Sequence, residues 1–211
     1  MISHLKRWKK RAVHLALFTI FYNLIEAAVA IYWGISDDSI SLAGFGGDSL
    51  VEVGSAIIVL WSLNNKKYSS DKERERLATR GIASLLILLS LIVFITSSWQ
   101  LSLGKAPETT FPGIIISCIS IVIMIFLWYA KMKIAKKINS LTLEKDAACT
   151  LICIRLSIVL LLGSLLYTLF PSFWWVDSVF AIVLGLLIIK EGIDTMRETF
   201  KEGFSGGCGC N

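Results

Sequence analysis

The stretch "SISLAGFGGDSLVEVGSAIIVLWSL", residues 39–63, has the length and apolar character of a membrane helix, yet it carries Asp48 and Glu52. Residues four apart on an α-helix lie on the same face, so the two carboxylates share one side of this segment. A charged side chain at the centre of a bilayer costs at least about 2.5–3.5 kcal/mol. Two such groups on one face therefore indicate a functional site inside a membrane helix.

The composition of the whole chain predicts a membrane protein with several spans. Of 211 residues, 55% are hydrophobic, and the mean hydropathy is +0.69, both far from the usual soluble range. A spanning helix needs about 20 mostly apolar residues. Six windows meet that requirement: 12–34, 39–64, 79–103, 111–130, 147–170 and 174–190. We therefore predict an all-α membrane protein of six transmembrane helices.

The chain divides into one transmembrane domain with short ends. We predict a basic N-terminus at 1–11, the six-helix domain at 12–195, and a flexible Gly- and Cys-rich tail at 196–211. A second domain is not expected, and the sequence has no Walker-type P-loop, which argues against ATP-driven pumping by this chain alone.

The basic residues predict the topology. All but Lys105 and Arg155 of the 21 Lys and Arg residues fall at the two chain ends or in and beside the predicted polar loops 65–78 and 131–146. Cytoplasmic loops of membrane proteins carry such an excess. Both termini and both long loops are therefore expected in the cytoplasm. The net charge of +5 is then a topology signal and does not indicate a nucleic-acid partner.

Asp48 and Glu52 indicate an ion site. Two carboxylates this close repel each other, so in a low dielectric at least one should hold a proton or a cation. A site that exchanges protons for a metal ion fits this pattern. The alternative is a pair satisfied by Arg155 or by Ser and Asn neighbours. Gly44 and Gly47 flank the same face, where small residues let a neighbouring helix approach closely.

The fifth window begins "LEKDAACTLICIRLS", residues 143–157, and places Asp146, Cys149 and Cys153 on one stripe. Two thiols and a carboxylate suit Zn²⁺ or a softer ion, although buried Cys is also a common packing residue. Together with Asp48 and Glu52, the two Cys would supply the four ligands that Zn²⁺ prefers. At 1.5 Å per residue, Asp48 lies about 13 Å and Cys153 about 25 Å from the outer ends of their windows, so a contact requires a tilted or projecting fifth helix.

Other polar residues that are costly to bury in a membrane helix each have two possible interpretations. Asn23 and Glu26 share a face of the first window, where they either line the ion path or join helices by hydrogen bonds. Asp177 opens the sixth window and either joins the path or caps the helix. Arg155 points away from the Asp146 stripe and is expected to pair with a buried carboxylate such as Glu26.

The five cysteines do not form the evenly spaced framework of a disulfide-rich protein. Cys118, Cys149 and Cys153 lie in apolar segments, whereas Cys208 and Cys210 lie in the tail. A Cys-x-Cys pair on a flexible cytoplasmic end can capture a soft metal ion, but two thiols cannot complete a four-ligand site.

These residues resemble the cation diffusion facilitator family over about residues 15–195. The run "YNLIEAAVAIYWGISDDSISLAGFGGDSLVEVGSAIIVLW", residues 22–61, is similar to the first two spans of that family, in which an acidic or His residue, three intervening residues and an Asp form a pair. Here the pair is Asp48 and Glu52. The matching pair of span 5 falls on Cys149 and Cys153 in "KDAACTLIC". The end "WWVDSVFAIVLGLLIIKEG", residues 174–192, resembles span 6, with Asp177 at the characteristic aspartate.

The resemblance implies a homodimeric exporter that exchanges divalent metal ions, usually Zn²⁺, for protons by alternating access. We expect a short form without the family's cytoplasmic metal-sensing domain, similar to short bacterial members and to the vesicular zinc-binding membrane proteins of animals. A bacterial plasma membrane is favoured over a vesicle membrane. No bound cofactor is implied besides the transported ion. Glu52 and the Cys pair stand where the family commonly has Asp and His/Asp ligands. The preferred metal can therefore differ from the family's usual one.

Two other functions are weighed against transport. One is a metal-binding membrane sensor or accessory protein that moves no ion, which metal flux in liposomes would distinguish. The other is an intramembrane enzyme such as a lipid phosphotransferase. That enzyme would need a multi-aspartate motif such as DGxxAR, which the sequence lacks.

Overall fold

The computed structural model describes residues 2–36, 40–64, 71–104, 111–170, 172 and 174–201, and it is built from helices. Six long α-helices follow one another along the chain, and each overlaps one predicted window, so the all-α prediction of six long helices is confirmed. Their bounds are α1 Ile2–Ser36, α2 Ile40–Asn64, α3 Asp71–Ser102, α4 Phe111–Ile138, α5 Leu141–Leu169 and α6 Val176–Glu198.

Over the described residues, four of these helices contain a segment long and apolar enough to cross a membrane: Arg7–Ser36, Gly44–Asn64, Lys72–Ser102 and Ile114–Ile138. The outer surface of the bundle is apolar. Large side chains such as Phe21, Val122 and Phe126 are each at least 64% exposed. A soluble monomer rarely shows so much contiguous apolar surface. The chain is therefore a multi-pass membrane protein whose exterior faces lipid.

The six helices form a closed ring of neighbours, and α5 makes additional contacts across the ring. α1 packs on α2, α2 on α3, α3 on α6, α6 on α5, α5 on α4, and α4 on α1. α5 also crosses the ring to contact α2 and α3. The main apolar cluster draws on all six helices, with Val51, Ile82 and Leu86 among its members. α5 therefore presents its buried face directly to α2, the helix that carries Asp48 and Glu52.

The connection between α4 and α5 differs from the prediction. The sequence indicated a polar loop at 131–146, but α4 continues to Ile138 and α5 begins at Leu141. Asn139 has a φ of 53°, and the Ser140 amide donates to the Ala135 carbonyl at 3.1 Å. An αL residue with this back-bond is the Schellman termination, which Asn tolerates better than most residues. The turn is thus two residues long, and residues 131–138 belong to a helix that packs in the bundle.

The start of α5 is fixed by hydrogen bonds to α3. The Ser140 side chain accepts from the Leu143 amide at 3.3 Å as the N-cap. Ser140 Oγ donates to Glu75 at 2.6 Å, and the Thr142 amide donates to Glu75 at 2.9 Å. Glu75 therefore satisfies donors that the first turn of a helix leaves unpaired. These bonds fix the position of α5 relative to α3.

The length of α5 resolves the depth difference between Asp48 and Cys153. α5 has 29 residues, which at 1.5 Å per residue is about 43 Å. That exceeds the roughly 30 Å hydrocarbon core of a bilayer. The helix therefore tilts or projects, as the contact between those two residues requires.

α1 packs tightly against α2 at Gly46. A Cβ added there would lie 2.6 Å from Ile31 Cγ1 and 3.1 Å from the Ala27 carbonyl oxygen. At Gly44 and Gly47, a Cβ would meet nothing within 4 Å. The prediction that Gly44 and Gly47 allow close helix packing is therefore wrong; Gly46 has that role because it faces the α1 backbone.

We predict that Gly46→Ala destabilises the protein whereas Gly47→Ala does not. Both changes improve helix propensity by about 1 kcal/mol, but overpacking at Gly46 should cost about 1–3 kcal/mol. Thermal unfolding of both variants in the same detergent measures the difference. Equal melting temperatures would show that α1 and α2 do not depend on this contact.

Candidate metal centre

A seam of polar side chains joins the buried faces of α2 and α5. The Cys153 thiol donates to Asp48 Oδ1 at 3.2 Å. One turn closer to the end predicted to be cytoplasmic, the Thr150 hydroxyl donates to Glu52 in a short hydrogen bond. At the next level, the Ser55 hydroxyl donates to Asp146 Oδ1 at 2.6 Å. The contacts run in opposite order along the two helices, as expected for antiparallel neighbours, and define what we call the α2–α5 seam.

Lys131 of α4 reaches the cytoplasmic part of this seam. Its ammonium lies 3.0 Å from Glu52 Oε1 and 3.1 Å from Asp146 Oδ2, and it donates to Thr150 Oγ1 at 2.8 Å. The Lys131 side chain is 1% exposed, and the two carboxylate side chains are 0% exposed. The positive charge offsets part of the cost of burying two carboxylates, which would otherwise be several kcal/mol for each ion.

Sequence reasoning missed Lys131 because it was counted among the basic residues of a cytoplasmic loop. A signal was present nevertheless. Met124, Leu127, Lys131 and Ala135 are buried on one stripe of α4, and their spacing of three or four residues is typical of one helix face. The prediction that Lys131 is a solvated loop residue is wrong, since the helix continues through it.

The four predicted ligands are divided between two levels of the seam. Asp48 and Cys153 are in contact, while Glu52 is held by Lys131 and Thr150. Cys149 is buried in the main apolar cluster, one helical turn before Cys153. Within the part of the chain that the structure describes, no three His, Cys, Asp or Glu side chains converge into a group that could hold a metal ion. A four-ligand site at these residues would need Glu52 to leave Lys131.

Some polar atoms of the seam have no hydrogen-bond partner among the described residues. Glu52 Oε2 is buried without one, and Asp146 Oδ2 meets the Lys131 ammonium at 3.1 Å without hydrogen-bond geometry. A buried acceptor left unpaired costs about 1–3 kcal/mol. The seam therefore retains acceptor capacity that an additional cation or proton could use.

Glu26 of α1 lies beside the seam through its contact with α2. It accepts hydrogen bonds from Tyr22 at 2.9 Å and from Ser49 at 2.8 Å, and Ser49 directly follows Asp48 in the chain. Asn23 donates to the Thr19 carbonyl at 2.9 Å, while its side-chain oxygen is buried without a hydrogen-bond partner. Both residues are thus inside the bundle on the α1–α2 side.

The predicted partner of Glu26 is wrong. Arg155 is exposed and lines a groove between α5 and α6 together with Lys190 and Asp194. The orientation follows from the helix period, since Arg155 lies two residues beyond the buried Cys153 and so points to another side of α5. Among the residues that the structure describes, the buried cation is Lys131.

Two further predictions fall outside the described residues. Asp177 lies in the first turn of α6, but its side chain is not among those described. Cys208 and Cys210 belong to residues 202–211, which are likewise outside. α6 extends to Glu198, three residues into the predicted tail, and Arg80 donates to the Thr199 hydroxyl at 3.1 Å.

A cleft reaches Asp48 from the opposite end of the bundle. Its lining residues come from α2, α3, α5 and α6, and its polar members are Asp48, Thr96, Ser97, Gln100 and Ser178. Thr96, Ser97 and Gln100 lie in the last two turns of α3, at the end predicted to face away from the cytoplasm. Neither Glu52 nor Lys131 lines this cleft. By its position along the helix, Asp48, eight residues from the start of α2, is the innermost of these polar lining residues, and we call it the inner limit of the outer cleft.

Comparison with known proteins identifies a matching family and similar proteins. Residues 16–202 match the family model described as the cation efflux transmembrane domain. The chain is also similar to transmembrane protein 163 of Xenopus laevis, at 25% identity over 193 residues, which is 92% of this chain and 69% of that relative. The matched region begins in α1 and ends just after α6, so it includes every helix of the ring.

We predict that Lys131→Met lowers the free energy of unfolding by about 3–5 kcal/mol, because it leaves two buried carboxylates without their cation. Lys136→Met is the matched control, since Lys136 lies on the same helix and is exposed; it should change stability by no more than about 0.5 kcal/mol. Thermal unfolding in detergent measures both. Similar stability of the two variants would contradict the structural importance of the buried ion pair.

Proposed function

Since this chain belongs to the cation efflux family, we propose that it moves divalent metal cations across the membrane in exchange for protons, with Zn²⁺ the first candidate. One observation carries the proposal. A carboxylate and a thiol, Asp48 and Cys153, meet at the inner limit of the outer cleft and continue into a seam of buried carboxylates. Such groups are costly inside a membrane protein and mark ion pathways.

The ligand chemistry supports coupling to protons. A carboxylate and a thiol must lose their protons to bind a metal ion, so metal binding and proton release are linked. An ion that reaches Asp48 and Cys153 from the cytoplasm would be released when protons arrive through the outer cleft. Rocking of helix groups about a fixed central site would then alternate access between the two sides.

The proposed ion site consists of Asp48, Glu52, Cys149 and Cys153. Asp48 and Cys153 are in contact, and Cys149 lies one helical turn before Cys153; a shift of Glu52 away from Lys131 and an approach of Cys149 would complete four ligands of mixed oxygen and sulfur. Zn²⁺ accepts both ligand types in tetrahedral sites. Glu26 and Asn23 are proposed to lie along the ion path.

The remaining features of the proposal follow from family resemblance. We propose a homodimer in a bacterial plasma membrane, with Cys208 and Cys210 capturing the ion in the cytoplasm and Asp177 along the path. The alternative of a metal-binding sensor that moves no ion shares the same ligands. Uptake of Zn²⁺ into proteoliposomes under an imposed pH gradient separates the two: a transporter gives gradient-dependent uptake, and a sensor gives binding alone.

We predict that Asp48→Asn lowers Zn²⁺ transport by about tenfold or more, since loss of a group that holds the ion costs at least as much as loss of its supporting partners. Asp194→Asn is the matched control, because Asp194 is an exposed carboxylate of α6; that variant should transport normally. Both are tested in proteoliposomes after size-exclusion chromatography confirms intact protein. Normal flux in Asp48→Asn would refute the site.

We predict that the double variant Cys149→His/Cys153→Asp keeps Zn²⁺ transport and loses relative activity with Cd²⁺. Thiolates favour the softer ion, whereas nitrogen and oxygen ligands do not, and Zn²⁺ accepts all three. Competition between the two metals in proteoliposomes gives the ratio. An unchanged Cd²⁺-to-Zn²⁺ ratio would mean that the two cysteines only pack.

A further inference from the structure

Lys131 is unusual among the lysines of its own helix. Lys133, Lys136 and Lys137 are exposed at the cytoplasmic end of α4, whereas Lys131 is buried. A lysine near the end of a membrane helix ordinarily extends its ammonium toward the water. The Cα–Cβ bonds of a helix tilt toward its N-terminus, which for α4 is the outer end. Lys131 therefore points toward the membrane interior.

The ammonium lies where a transported cation would bind. It contacts one oxygen each of Glu52, Asp146 and Thr150 at 2.8–3.1 Å. All three oxygen-bearing side chains come from α2 and α5, the helices that carry the proposed ion ligands. Meanwhile Glu52 Oε2 remains buried without a hydrogen-bond partner among the described residues. A single positive charge thus faces two carboxylates and leaves acceptor capacity for a cation of higher charge.

The position of Lys131 separates the two ends of the seam. On the outer side, a cleft reaches Asp48. On the cytoplasmic side of Asp48, the next two levels of the seam are Glu52 with Thr150 and Asp146 with Ser55, and Lys131 joins both levels. These side chains are at most 1% exposed. The structure therefore combines an outer cleft with a closed cytoplasmic side.

We propose that Lys131 is a tethered cation that closes the cytoplasmic end of the α2–α5 seam, and that a divalent ion entering from the cytoplasm must displace it from Glu52. The proposal rests on the transport function proposed above. Displacement favours a divalent ion, because two charges interact with a carboxylate more strongly than the single charge of Na⁺, K⁺ or the lysine itself at equal distance. Lys131 thus acts as a positioning residue that holds Glu52 until the ion arrives.

The test measures access to Cys149, which is buried beside the closed part of the seam and does not line the outer cleft. The parent protein keeps Cys149 as its only cysteine, with the other four changed to Ser. The test variant is Lys131→Met/Asp146→Asn, which removes one positive and one negative charge together and so avoids stranding an additional carboxylate. Lys131→Arg keeps a cation at the seam, and Lys136→Met is the surface control.

Reconstituted protein is treated with a membrane-impermeant thiol reagent from the cytoplasmic side. We expect Cys149 to stay protected in the parent, in Lys131→Arg and in Lys136→Met, and to react about tenfold faster or more in the double variant, which corresponds to about 1.4 kcal/mol in the opening equilibrium. Equal reaction rates in the folded double variant and the parent would overturn the proposal. Equal acceleration by reagent added from the outer side would also overturn it, because a general loosening of the bundle would then explain the result.

A second measurement uses Zn²⁺ alone, titrated calorimetrically into purified full-length protein. With the tethered competitor removed, the double variant should bind Zn²⁺ about tenfold tighter or more than the wild type. If the wild type binds Zn²⁺ and the double variant binds it equally well or more weakly, the proposal that the ion displaces Lys131 is overturned. The two proposals can fail separately, because the labelling experiment needs no metal. If the wild type neither binds nor transports Zn²⁺, the proposed function is refuted. The labelling rates still decide whether Lys131 closes the seam.

Discussion

The buried ion pairs between Lys131 and the carboxylates of Glu52 and Asp146 constrain the rest of this structure. Inside a membrane protein, a carboxylate without a partner is too costly to keep charged. The three charges come from α2, α4 and α5, so these helices can satisfy them only in one relative arrangement. The polar interior and apolar exterior of the bundle follow from this requirement.

The arrangement depends on a short turn as much as on the charges. Asn139 in the left-handed region ends α4, and Ser140 begins α5 as its N-cap. A two-residue connection leaves little freedom in the register of the two helices. Lys131, seven residues before the end of α4, is thereby held beside Asp146 and Thr150. A longer loop would have allowed the lysine to reach water.

The levels of the seam differ in their chemistry. Its outer level pairs Asp48 with the thiol of Cys153, which suits a metal ion that accepts both oxygen and sulfur. Its other two levels pair the carboxylates of Glu52 and Asp146 with hydroxyls and with the Lys131 ammonium, which compensates their charge. An ion passing along the seam would therefore meet two different environments.

The amino-acid sequence by itself predicted the number of helices, their membrane character and a candidate site on α2 and α5. Hydrophobic length and the spacing of Asp48, Glu52, Cys149 and Cys153 are local properties, so they can be read without knowing how the helices pack. The sequence also identified the resemblance to the cation diffusion facilitators.

Only the tertiary structure decided the partners of these groups. Hydropathy and charge assigned Lys131 to a loop, because a lysine after an apolar run usually lies in water; its contact with two carboxylates exists only when α2 and α5 are beside α4. In the same way, Arg155 was expected in the interior of the bundle and is exposed on its surface. Close packing was expected at Gly44 and Gly47, but it is Gly46 that meets the α1 backbone. Each outcome depends on which helix face meets which neighbour, and that is set by packing across the ring of helices.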